Sequence, residues 1–122
     1  MEIVKARTNA EFLNKEYGTN YKAWYKSRWP YDIETWVWMV RIDGKVRDGW
    51  RNLPLKEGGM LEEFVGPGTP TYFNEKERRY RIIVDIVETS TGREYHIIGK
   101  YRYDKERSNE REHVFVKERF YD

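Results

Sequence analysis

A chain of 122 residues suits one domain, long enough to bury a core and too short for two. Charged residues make up 36% and apolar residues 39%, so the five Trp and ten Tyr must carry much of the core, and a formal charge of +2 is too small to imply nucleic acid by bulk electrostatics. Cysteine is absent, which excludes disulfides, thiolate metal sites and thiol catalysis, and two histidines are too few for a metal centre; neither metal nor cofactor is expected.

The N-terminus lacks a signal-peptide pattern, and no apolar run approaches the roughly twenty residues that span a bilayer, so a soluble, cytoplasmic chain without membrane contact is expected. Glutamine is missing while Glu, Arg and Lys are abundant, a bias that fits a thermophilic source. Ile3 and Val4 mark a short edge strand within residues 1–7. Thr8 followed by Glu11 is a capping box that opens a helix on Ala10, Leu13 and Tyr17, and Gly18 ends it. Thr19 or Asn20 then caps a second helix, in which Tyr21, Trp24, Tyr25 and Arg28 recur at helical spacing until Pro30. A helix-turn-helix with Lys22, Lys26 and Arg28 on its second helix is one reading of this pair, but the bulky rings are better explained as covering a sheet.

Glu34 to Ile42 reads as a central strand, with Trp36, Trp38, Val40 and Ile42 on one face and Val37 and Met39 on the other. Asp43 and Gly44 supply a two-residue turn, and the resulting hairpin into residues 45–51 opposes Val37 to Trp50. The helices are expected to bury the tryptophan face; the alternative is an open face whose indoles stack on a ligand beside Arg47 and Arg51. Residues 52–77 read as a long glycine-punctuated connection, with a short helix or strand at 60–65 and no phosphate-loop spacing.

From residue 78 to residue 121 the pattern is a three-strand meander. Tyr80, Ile82, Val84 and Ile86 alternate along its first strand, and the run from Thr89 to Gly92 reverses the chain. A tight turn there places Tyr80 by Tyr101, Val84 by Ile97 and Ile86 by Tyr95. A charged reversal follows at residues 104–111, after which Val114, Val116 and Phe120 continue the apolar face. The opposite face gathers Arg79, Arg81, Lys100, Arg102, Lys117 and Arg119 with Phe115 and Tyr121.

These readings combine into a single α+β domain over residues 1–122: two short N-terminal helices packed on a mostly antiparallel sheet of about five strands that ends in the C-terminal three-strand meander. The basic, aromatic-bearing face points to non-enzymatic nucleic-acid binding, cations on phosphates and Phe115 or Tyr121 on bases. A protein-binding inhibitor or accessory protein of viral or mobile-element origin would use the same Tyr, Trp and Arg against a partner protein. A catalytic reading places Asp85 opposite His96 with Arg119 alongside, as base, acid and phosphate clamp for metal-independent RNA cleavage. The plainer reading of that trio is a surface ion-pair ladder.

Overall fold

The computed structural model describes residues 2–68, 70 and 79–118. Its elements in chain order are β1 (Glu2–Lys5), α1 (Asn9–Tyr17), β2 (Arg28–Pro30), β3 (Thr35–Val40), β4 (Trp50–Pro54), β5 (Met60–Phe64), β6 (Tyr80–Thr89), β7 (Gly92–Asp104) and β8 (Glu112–Lys117). One eight-stranded sheet runs β2-β3-β6-β7-β8-β5-β4, and β1 pairs with the first half of β7. Pairing is antiparallel except between β3 and β6, which run parallel.

A mostly-β fold on one mixed sheet therefore replaces the expected two helices on five strands. The first helix forms as its caps dictate: the Thr8 hydroxyl accepts the Glu11 amide at 3.1 Å and Gly18 turns left-handed at φ 69°. The second helix does not form, because Asn14 captures the chain that would begin it. Its carboxamide accepts from the Tyr21 amide at 2.9 Å and the Thr19 hydroxyl at 2.7 Å, and donates to the Tyr21 carbonyl at 2.9 Å. Tyr21 and Trp24 still pack on the core, but from an irregular segment.

The Asp43–Gly44 hairpin is likewise corrected. Both edges of β3 are taken, by β2 and by β6, so residues 45–51 have no edge to join and the chain crosses instead to the far end of the sheet. There, much of the expected long connection is a hairpin, β4 on β5, with Trp50 opposite Phe64 and Asn52 opposite Glu62.

Within the meander the turn sets the register as expected near its tip, where Val84 faces Ile97 and Ile86 faces Tyr95. Between Ile83 and Val84 the register shifts, leaving Ile98 out of the ladder, so Tyr80 faces Arg102 and Arg81 faces Tyr101. One extra residue bends the strand and inverts the facing of everything beyond it.

Two cores result. On the convex side α1 presses Phe12 and Leu13 onto Val37, Met39, Val84 and Tyr95, and the Phe12 ring stacks on Tyr95 at 4.7 Å between centroids. On the concave side Trp38, Val40, Met60, Ile83, Tyr101 and Phe115 pack together. Trp38 of β3 and Phe115 of β8 lie only 5.4 Å apart although β6 and β7 stand between their strands, which shows how tightly the sheet curls. Trp38 is thus buried as expected, at 3% exposure, but by the curled sheet rather than by helices. Arg81 fills the gap, its guanidinium 4.3 Å from the Trp38 ring and 4.7 Å from the Phe115 ring.

Two predictions follow from this packing. Arg81→Ala removes the filler of the concave core and lowers unfolding stability by about 3 kcal/mol in urea titrations, on the scale of large-to-small core substitutions. At the β1–α1 junction, burial and the adjoining Glu2 carboxylate push Glu16 up to about 7 from 4.5. A raised carboxyl stabilises the fold below its unfolded value and loses that contribution as pH climbs from about 4.5 through 7. Glu16→Gln is expected to flatten that portion of the Tm profile.

Candidate functional site

Because the sheet curls, β3 and β4 face one another across a seam, and the residues linking them cross its mouth. A cavity of about 320 Å3 opens there, lined by Trp38 and Val40 of β3, Trp50 and Asn52 of β4, and Glu62 of β5. Volumes of this order suit a small planar ligand. Asn52, Glu62 and His113 stand side by side across β4, β5 and β8. The buried His113 ring lies 2.9 Å through Nδ1 from Oε1 of Glu62, and 5.4 Å from the Trp50 ring. Trp50 also packs at 5.0 Å on Phe64. The floor is thereby fixed from both sides, by ring packing and by hydrogen bonding.

Asn52 supplies the polar group that the fold does not use: its side-chain oxygen is buried and accepts no hydrogen bond from the described residues. A buried acceptor without a donor costs about 1–3 kcal/mol, a loss that a ligand donor would recover if the carboxamide turned its oxygen toward the cavity. Around the mouth stand Arg41, Lys45 and Arg47. Asp43 holds Arg47 through two contacts of 2.9 and 2.7 Å and accepts the Lys45 amide at 3.0 Å. The Arg47 guanidinium, helped by that amide and opposed by partial burial, keeps the Asp43 carboxyl well below the usual carboxylate range. The Gly44 amide ties the same loop to the Asn52 carbonyl at 3.1 Å. Lys45 makes no ion pair among the described residues, which leaves its charge available at the rim.

The residues expected on one basic face are divided by the bulge. Arg81 and Phe115, at 2% and 0% exposure, lie inside the concave core and cannot meet phosphates or bases from outside. Lys117 shares their side of the sheet, exposed at the end of β8 opposite Tyr101. Lys100 and Arg102 turn to the other side, where Lys100 lies 4.8 Å and Arg79 5.4 Å from the Tyr80 ring. Arg119 and Tyr121 fall outside the described residues.

Asp85 does stand opposite His96 in the ladder. The side chains have other partners, however: Asp85 accepts the Ile42 amide at 3.0 Å, and His96 Nε2 lies 2.9 Å from Glu94. Sequence reasoning missed Asn52, Glu62 and His113 as a group, because residues 52–77 read as loop. The available signal was the spacing of Trp50 with Asn52 and of Glu62 with Phe64, two apart as on one strand face.

The sequence matches no protein-family model and no curated protein. Among solved structures, the fold resembles the 5-hydroxymethylcytosine-specific restriction enzyme AbaSI, with a TM-score of 0.65 at 18% identity over 93% of this chain. The chain spans only 37% of that enzyme's length.

Proposed function

We propose that this chain is a nucleic-acid-binding module that takes a single cytosine-type base into the seam cavity. The observation that carries the reading is the unsatisfied oxygen of Asn52, a residue that lines the cavity together with Trp50 and Glu62; rotation of its carboxamide would present that oxygen to a base. Cytosine bears an amino donor where thymine bears a carbonyl acceptor, so a pair of acceptors favours the former and repels the latter. The half-buried Trp50 indole provides stacking surface, and the cations at the mouth suit the phosphates flanking a base turned out of its stack. Support also comes from the likeness to a restriction enzyme specific for 5-hydroxymethylcytosine, a base that keeps the amino edge. Cleavage forms no part of the proposal, because the likeness covers about a third of that enzyme's chain.

Titration of fluorescent oligonucleotides that differ at one unpaired position, as cytosine, 5-hydroxymethylcytosine or thymine, tests it. Both cytosine forms are expected to bind at least tenfold tighter than thymine, and Asn52→Ala to erase most of that preference, in line with about 1–3 kcal/mol per base contact. Lys45→Gln should weaken binding to all three alike and lower its salt dependence. Equal affinity for the three bases in the wild-type chain overturns the reading.

A further inference from the structure

His113 of β8 is 5% exposed and is not among the described residues that line the seam cavity, yet it meets two that are. Its Nδ1 lies 2.9 Å from Oε1 of Glu62, and its ring stands 5.4 Å from the Trp50 ring with 35° between the planes. Both contacts follow from register. Trp50 and Asn52 are alternate residues of β4 and share a face, Asn52 pairs with Glu62 of β5, and Glu62 pairs with His113, so two acceptors and an imidazole form one row across three strands. Tyr103 of β7 packs edge-on against the imidazole at 6.1 Å, which limits its rotation.

The hydrogen bond orients Glu62. A carboxylate only accepts, so Nδ1 carries the proton that the bond uses. With Oε1 engaged and the side chain 18% exposed, the carboxylate loses the rotation that a long acidic side chain otherwise keeps, and its second oxygen is held in one direction. A cytosine amino group carries two hydrogens, and Asn52 with Glu62 offers it two acceptors.

We infer that His113 is a positioning residue for base selection. Through its hydrogen bond it sets the Glu62 carboxylate to receive one amino hydrogen of a cytosine whose other hydrogen goes to the turned Asn52 carboxamide. Through its ring it backs the Trp50 wall. The inference rests on the seam reading for its ligand, and it gives one residue two separate tasks: the nitrogen serves discrimination and the ring serves affinity.

Substitutions that keep one feature and remove the other separate the tasks. His113→Phe retains a ring against Trp50 without the donor, and His113→Asn retains an N–H near the place of Nδ1 without the ring. Oligonucleotides with cytosine or thymine at one unpaired position are titrated against the whole chain. His113→Phe is expected to lower the cytosine-over-thymine affinity ratio about fivefold, on the scale of one hydrogen bond, whereas His113→Asn restores most of the ratio and weakens both bases alike. In a Glu62→Gln background His113→Phe should change the ratio no further. An undiminished ratio in His113→Phe, or a loss of equal size in both backgrounds, overturns the positioning role. The wild-type chain gives a second reading that stands should a variant fail to fold: the side-chain nitrogen resonances of His113 are expected to shift when the cytosine oligonucleotide binds and to stay in place with the thymine one. Resonances that respond to neither also overturn the role. Should it be overturned while Asn52→Ala still erases base preference, the seam reading stands alone; equal affinity of the wild-type chain for the two bases ends both.

Discussion

The structure depends on a cation held between two rings. Arg81 of β6 reaches Trp38 on one side and Phe115 on the other, and so joins strands that the sheet order keeps apart. Burial pulls its guanidinium down to about 10 from 12.5, with the Glu62 carboxylate opposing that pull, so the group stays charged at neutral pH. An apolar side chain could fill the same space at lower desolvation cost. What the arginine adds is electrostatic contact between the concave core and Glu62, which also meets His113 of β8. The curl that makes the cavity and the charge that conditions it have a common source.

What was legible in the sequence was local. The capping box from Thr8 to Glu11, the stop at Gly18 and the reversal from Thr89 to Gly92 involve residues within one turn of each other, and all three stand where the sequence put them. The parallel pairing of β3 with β6 joins segments about forty residues apart and leaves no local trace, so the edge assigned to the Asp43–Gly44 turn was already occupied. Ile98 shows why the basic face was misread: one residue dropped from the ladder exchanges the facing of Lys100 and Arg102 with that of Tyr101 and Tyr103. The site was illegible for a different reason. Asn52 and Glu62 are polar residues aimed inward, and polarity in a glycine-punctuated stretch reads as loop.

In the seam cavity a flat apolar wall is fixed by β-structure while cations stand on the connecting segment. Trp50 sits in β4, held by ladder bonds; Lys45 is on the chain between strands, where a long side chain keeps its freedom. Such a division suits recognition of a polyanion with planar units. Rigid walls limit the entropy lost in stacking, and mobile ammonium groups follow a phosphate path without fixing sequence. In the proposed reading, discrimination among bases then falls to few atoms, chiefly the Asn52 oxygen and the Glu62 carboxylate.

A crystal structure of the chain with a short duplex carrying one 5-hydroxymethylcytosine tests the central claim most directly. The account predicts that base out of the duplex and against the Trp50 ring in the seam cavity, its amino group within hydrogen-bond distance of the Asn52 side-chain oxygen. A complex in which the base stays stacked in the duplex, with the seam cavity filled by water and the DNA lying on another face of the sheet, would contradict it.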